Sequence, residues 1–246
     1  MQYSNIEPFK SVFPFFKKII EHIFDYMAPY SKEDFIAYAQ AKGLYVLGKN
    51  DEDLFVECGV DAFLGYGMYN TFFNHYEAPD ESYKDKLELL MRLIFRGCPD
   101  AVVIANSKDI GSFAQWFPPG YSGTSIIKYI FAGGWKLPFM KGGITTMIRS
   151  GSVESYSFQK KKAITKNEDI YLYNLAVRHN MQRKHLAAKL VSVMQEYAQT
   201  IGRSCYLETY DPKNVRVYEH LGFKLMGESQ VPNSDLTHYP FLKLPE

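Results

Sequence analysis

The chain has 246 residues, 46% hydrophobic and 22% charged, which is typical of a globular protein and long enough to bury a sizeable core. A formal net charge of +1 gives no reason to expect nucleic acid or an anionic membrane as a partner. Three cysteines, Cys58, Cys98 and Cys205, have neither metal-ligand spacing nor a disulfide framework, so we expect a cytoplasmic protein without a metal site.

The sequence pattern of residues 1–43 predicts two helices. No apolar run of about 18 residues and no signal-peptide pattern is visible, so we predict no membrane span. Segment 8–27 mixes Phe and Ile with charges of both signs, which favours a core-facing amphipathic helix over one on a membrane surface. After Pro29, a second helix would begin at Ser31 and end at Gly43. We predict residues 1–43 as a helical extension packed on a domain of residues 44–246.

The middle of the chain alternates short strands with amphipathic helices. Apolar spacing and turn residues predict a strand at 44–47, helices at 53–63 and 81–96, and strands at 101–105 and 110–117. An interrupted helix is expected within 125–140, and a partly amphipathic one at 144–160. This part of the chain is also rich in aromatic residues, which we expect to line a pocket.

From residue 168 the pattern is clearer. Alternation predicts a strand with Tyr171 and Tyr173 on one face and Leu172 and Asn174 on the other. A long helix follows from about Arg183 to Gly202, then a strand at 205–209, a short helix at 212–221, a strand at 223–228 and a final strand in the tail. A helix that starts directly after a strand offers unpaired N–H groups and a positive dipole end, a ready anion site.

Three stretches in this order resemble one family, the GCN5-related N-acetyltransferases (GNAT). Segment 182–187, QRKHLA, is similar to the acetyl-CoA loop Q/R-x-x-G-x-G/A, with His185 where the first Gly is usual. Segments 110–120, IGSFAQWFPPG, and 207–223, LETYDPKNVRVYEHLGF, resemble the puromycin N-acetyltransferase branch in particular. His enters the left-handed backbone region more readily than most residues, so the loop can keep its shape without that Gly.

The resemblance implies an α/β fold, with helices on both faces of a mixed sheet that is splayed at the cofactor strand. It also implies acetyl-CoA as the cofactor, with the pantetheine arm along Leu175, Ala176 and Val177 and the Val177 N–H donating to the thioester oxygen. Backbone N–H groups of the loop would hold the pyrophosphate, and Asn214 would bind the cofactor as well. The loop residues are Gln182, Arg183, Lys184, His185, Leu186 and Ala187.

Candidate catalytic residues follow from the same motifs. Tyr218 stands where family members place the tyrosine that protonates the departing thiolate, although a tyrosine packed under the sheet is the alternative. Glu208, at a strand end, is the leading candidate for the base, with a purely structural carboxylate an equal possibility. Tyr171 and Tyr173 would line the acceptor side, and His75 and Glu77 are weaker candidates.

These observations predict an enzyme, an acyltransferase that moves an acetyl group to a primary amine of a small-molecule acceptor by direct attack in a ternary complex. Neutral net charge and many aromatic residues suit an apolar or aromatic amine. Two alternatives remain: a non-catalytic acyl-CoA-binding or interaction module on the same fold, and an enzyme that acetylates a protein lysine or N-terminus. The oligomeric state is not indicated by the sequence.

Overall fold

The computed structural model describes residues 30–121, 123 and 125–246. Within these residues eight strands form a mixed sheet in the order β1-β2-β3-β4-β5-β8-β6, with β7 paired to β8. Neighbouring strands are antiparallel, except that β4 and β5 run parallel. The strands are β1 Tyr45–Val46, β2 Val102–Ala105, β3 Ser112–Phe117, β4 Ile170–Val177, β5 Cys205–Thr209, β6 Lys224–Leu225, β7 Ser229–Gln230 and β8 Thr237–Lys243.

Helices cover both faces of this sheet, which confirms the predicted α/β fold. Helices α1 and α7 pack on one face, around Trp116 and Met194, and helices α2, α4 and α6 pack on the other, around Phe55, Phe113 and Met91. The helices are α1 Lys32–Ala41, α2 Glu52–Phe63, α3 Gly67–Phe73, α4 Glu81–Gly97, α5 Ile126–Phe131, α6 Gly143–Thr165, α7 Leu186–Thr200 and α8 Val215–His220. Short 3-10 turns lie at Lys49–Asp51, Gly134–Phe139, His179–Met181 and Pro212–Asn214.

Helix α1 has the predicted start, because the Ser31 side chain accepts a hydrogen bond from the Asp34 N–H at 3.1 Å. The helix predicted within residues 8–27 lies outside the described residues. The division of the chain into an extension of residues 1–43 and a domain of residues 44–246 therefore stays a prediction. Within the described ranges, no helix is long and apolar enough to cross a bilayer.

The clearest differences from the predicted boundaries lie at α6, α7 and β6. Helix α6 runs over 23 residues, well beyond the predicted range of 144–160. Helix α7 begins at Leu186 instead of near Arg183, because Arg183 and His185 both have positive φ, +63° and +58°, which right-handed helix does not permit. The strand predicted at 223–228 is reduced to Lys224–Leu225.

Strand β4 carries a bulge that the alternating pattern did not predict. Gln115 of β3 is opposite Asn174, but the next residue, Trp116, is opposite Leu172, so Tyr173 is the extra residue. Beyond the bulge the side-chain alternation is reset. The Asn174 side chain donates to the Gln115 side chain at 2.8 Å, on the sheet face opposite Trp116 and Leu172. The prediction that Leu172 and Asn174 share a face was therefore wrong.

Candidate active site

A gap opens between the parallel strands β4 and β5. Their register runs from Ile170 opposite Cys205 to Leu172 opposite Leu207 and then stops, although β4 continues to Val177. The resemblance predicted a sheet splayed at this strand. The bulge lies at the point where the pairing ends, and a bulge increases local twist.

Backbone groups of β4 face this gap beyond the bulge. The Arg178 N–H donates to the Gly111 carbonyl at 3.0 Å, on the β3 side. The backbone N–H and C=O groups of successive residues in a strand point to opposite sides. The N–H of Ala176 therefore also faces β3, whereas the N–H groups of Leu175 and Val177 face the gap. Of the three residues predicted along the pantetheine arm, Leu175 and Val177 thus offer donors to a ligand in the gap, and Ala176 is engaged with Phe113 of β3.

The predicted phosphate loop follows β4 after the 3-10 turn His179–Met181. His185 has φ +58° and ψ +17°, so it adopts the left-handed conformation for which the family pattern uses Gly. Helix α7 starts immediately after it and has no acidic residue in its first turn. The N–H of Lys189 is the first to close a helical bond, to the His185 carbonyl at 3.1 Å, which leaves the N–H groups of residues 186–188 for another acceptor.

The side chains around the loop are basic and exposed. Arg183, Lys184 and Lys189 are exposed, as are Gln182 and His185. A positive helix end beside three cations attracts anions. This arrangement fits a phosphate-bearing cofactor whose pyrophosphate would sit at the loop.

A cavity of about 640 Å³ lies beside the gap, under helices α3, α4, α5 and α6. Its walls are mainly aromatic and aliphatic. Predicted site residues in the wall are Tyr171, Tyr173, Leu175, Glu208, Asn214 and Tyr218. The loop of residues 182–187 is not part of this wall; it lies beyond the end of β4, at the far end of the gap. In the part of the chain that the structure describes, no group of His, Cys, Asp or Glu is arranged to hold a metal ion.

Glu208 lies on β5, one residue past the last pair with β4. Its Oε1 accepts from the Tyr171 hydroxyl at 2.7 Å, and its Oε2 accepts from the Tyr206 hydroxyl at 2.8 Å. The ring of the buried His238 also approaches Oε2, with Nε2 at 3.4 Å. Its carboxylate is thus fixed in one orientation on the cavity side. His238 comes from β8, thirty residues later, and no sequence motif marked it.

Glu154 is a second carboxylate in the cavity wall, and the sequence did not reveal it. It lies on α6, and its Oε1 accepts from the Tyr173 hydroxyl at 2.7 Å. Burial raises the pKa of Glu154, hydrogen bonds from Tyr173 and Tyr129 counteract this, and the charge of Glu208 raises it further. The sequence signal for Glu154 was weak, because α6 shows little amphipathic pattern and its contact is with Tyr173, which lies 19 residues later on β4.

Tyr218 lies on α8 with its ring against Phe223 and Phe241, at centroid distances of 6.4 and 5.5 Å. Burial raises the pKa of its hydroxyl, which therefore remains protonated at neutral pH. Asn214, at the start of the same helix, donates to Thr209 Oγ1 at 3.4 Å. Both residues reach the cavity at the edge formed by β5.

The part of the chain that forms the gap and the loop is similar to a known protein family. Residues 149–223 match the family model described as Acetyltransferase (GNAT) family, a range that includes β4, the loop, α7, β5 and α8. The matched range covers less than a third of the chain, and the fold agrees with that of GNAT acyltransferases. The matched segment contains the candidate site residues predicted from the family motifs, as well as Glu154, whereas the weaker candidates His75 and Glu77 lie outside it. Among curated proteins, no sequence matches the chain.

Solved structures share this GNAT fold. One, from Corynebacterium glutamicum, is described as histone acetyltransferase HPA2 and related acetyltransferase; it has 16% identity and a TM-score of 0.54, and the match covers 82% of this chain and 96% of that one. Arylalkylamine N-acetyltransferase 2 from Aedes aegypti has 15% identity and a TM-score of 0.54, with 82% and 98% covered. At these identities the similarity concerns the fold.

Proposed function

We propose that this protein is an acetyl-CoA-dependent N-acetyltransferase that acetylates a primary amine of a small acceptor by direct attack in a ternary complex. One observation supports it most: a single gap connects a basic loop at a helix N-terminus, two backbone donors and a cavity with carboxylates. A carbonyl at one end of the gap and an amine in the cavity would meet between Val177, Glu208 and Tyr218.

Binding at the loop rests mainly on backbone groups. The N–H groups of Leu186, Ala187 and residue 188 would hold the pyrophosphate, with Arg183 and Lys184 adding positive charge. His185 already has the backbone conformation that the loop requires. Replacement of the usual Gly is therefore compatible with binding.

Bound acetyl-CoA supplies an acetyl group as a thioester. The Val177 N–H, which faces the gap, would donate to the thioester oxygen and stabilise negative charge that develops there. Glu208 would accept a proton from the attacking amine, directly or through the Tyr171 hydroxyl bonded to it. Tyr218 would give its hydroxyl proton to the departing sulfur, so the acceptor nitrogen loses one proton and the thiol gains one.

The acceptor class follows from the cavity. A concave wall of mainly aromatic and aliphatic side chains favours a small apolar or aromatic amine as the acceptor. The Aedes aegypti protein with the same fold is named as an arylalkylamine N-acetyltransferase, which agrees with this class. Membership of the puromycin N-acetyltransferase branch and a cytoplasmic location rest on the sequence alone and are part of the proposal.

A thiol-release assay with acetyl-CoA and a panel of arylalkylamines, alkylamines and short peptides tests the proposal. We expect turnover of small amines and a fall in kcat of about 10²-fold or more in Glu208→Gln, since proton acceptance contributes on this scale. Val177→Pro removes one N–H that faces the gap while leaving the β3 ladder intact, and a fall of about 10²-fold is expected. Glu33→Gln, an exposed acid on α1, is the matched control.

The outcomes separate the alternatives. Turnover of peptides alone would identify a protein N-acetyltransferase. Binding of acetyl-CoA without transfer to any amine or peptide would favour the non-catalytic module. Full activity in both the Glu208 and the Val177 variants would contradict the assigned roles.

A further inference from the structure

The cavity wall has an unusual charge composition. Two carboxylates, those of Glu154 and Glu208, line it, and its wall contains no Lys, Arg or His among the described residues. Eleven Tyr, Phe and Trp side chains form much of the remaining wall. Aromatic faces attract cations, and carboxylates in an apolar cavity attract them more strongly. A cavity of this composition favours cationic occupants and excludes anionic ones.

The hydrogen-bond donors to each carboxylate include tyrosine hydroxyls. Glu208 is held by Tyr171 and Tyr206, and Glu154 by Tyr173 and Tyr129. No ion pair with Lys or Arg forms at either carboxylate in the described part of the chain. One acceptor ammonium would compensate one of these carboxylates. The other would then stay buried without a cation, which is costly, or bind a proton, and a second ammonium would avoid both.

The two carboxylates are close enough for one small molecule to reach both. Tyr171 and Tyr173 are two residues apart on β4, their ring centroids are 5.7 Å apart, and each donates to one of the carboxylates. Glu208 lies at the gap, beside the predicted acetyl-transfer position. Glu154 lies on α6, on the side of Tyr173.

We infer, building on the proposed function, that the acceptor is a diamine with an apolar or aromatic body, in which one nitrogen is acetylated near Glu208 and the second, as an ammonium, binds Glu154. Glu154 is then a specificity-determining residue. The acetylated nitrogen becomes a neutral amide, while the second nitrogen keeps its charge. The cavity volume accommodates a body of one aromatic ring.

A matched pair of amines tests this inference. In p-xylylenediamine and 4-ethylbenzylamine the reacting aminomethyl group and the ring are the same. The second substituent is aminomethyl in one and ethyl in the other, so it ends in either an ammonium or a methyl group of similar size. We expect the wild-type protein to favour the diamine by about tenfold or more in kcat/KM, the scale of one buried charge-assisted contact. Glu154→Gln should bring the ratio close to one, while Glu154→Asp, which keeps the charge, should retain a preference.

Calorimetric titration of both amines into the CoA-saturated protein gives a readout that does not depend on turnover. Tighter binding of the diamine, lost in Glu154→Gln but not in the Glu33→Gln control, would support the inference. Equal binding of both amines by the wild type, no binding of either, or a preference that survives Glu154→Gln would overturn it. Transfer to both amines with no preference would refute only the diamine inference, whereas a failure to transfer or to bind acetyl-CoA would refute the proposed function.

Discussion

Tyr218→Phe is the most informative single substitution, because it removes one hydroxyl and keeps the ring. The contacts of the ring with Phe223 and Phe241 are available to Phe as well, so the free energy of unfolding should change by less than about 1 kcal/mol. Loss of a general acid typically slows a reaction about 10²- to 10⁴-fold, which corresponds to about 3–5 kcal/mol of activation free energy. We expect kcat to fall by this factor and the dissociation constant for acetyl-CoA to remain nearly unchanged.

The assay is thiol release at saturating acetyl-CoA and a turned-over amine, with cofactor binding followed by calorimetric titration. Tyr197→Phe is the matched control: its hydroxyl donates to the Ser31 carbonyl at 3.0 Å, and Tyr197 is not part of the cavity wall. The control should retain kcat and lose about 1 kcal/mol of stability. A kcat for Tyr218→Phe within about threefold of wild type, with both proteins folded, would show that Tyr218 is not the proton donor.

Three further substitutions, one of them paired with a control, test the loop and the packing of α6. His185→Gly removes the strain of a left-handed backbone conformation at a residue with a side chain. We expect the affinity for acetyl-CoA, measured by calorimetric titration, to stay within a few-fold of wild type. A loss of binding would mean that the imidazole contacts the cofactor. Gly143→Ala should unfold at a lower temperature than the wild type, because its Cβ would lie 1.6 Å from a backbone carbonyl oxygen of the preceding 3-10 helix. In the control Gly151→Ala the new Cβ would have no atom within 4 Å, so we expect an unchanged melting temperature. Equal melting temperatures for the two variants would contradict the close packing at Gly143. Lys161→Met removes the ion-pair partner of the buried Asp169 carboxylate, which lies 3.0 Å from the Lys161 ammonium. We expect the free energy of unfolding, measured in urea, to fall by about 3–5 kcal/mol. An unchanged urea midpoint would contradict this expectation.

The sequence predicted the second half of the fold well, because strong local patterns specify it. Alternation in 170–177, the apolar stripe of α7 and the motifs around Tyr218 each act over short distances. The left-handed conformation of His185 was also anticipated from its place in the loop pattern. The bulge at Tyr173 was not, because the apolar run that contains it has no residue that marks an interruption.

The acceptor cavity was the part that sequence reasoning could not assemble. Its walls come from α3, α4, α5 and α6 together with β4 and β5, so its shape depends on long-range packing. Glu154 illustrates the difficulty: on a helix with little amphipathic pattern it resembles any exposed acid, and only its contact with Tyr173 places it in the site. His238 likewise becomes significant only through its proximity to Glu208.

Calorimetric titration of acetyl-CoA into the wild-type chain and into Ala187→Glu tests the central claim most directly. That substitution places a carboxylate in the first turn of α7, where the N–H groups and the basic side chains would hold the pyrophosphate. The account predicts one-to-one binding in the micromolar range and a loss of about tenfold or more in the variant, since like charge at a helix N-terminal anion site is unfavourable. No binding by the wild type at about millimolar acetyl-CoA, or equal affinity in both proteins, would contradict the assignment of this loop as the cofactor site.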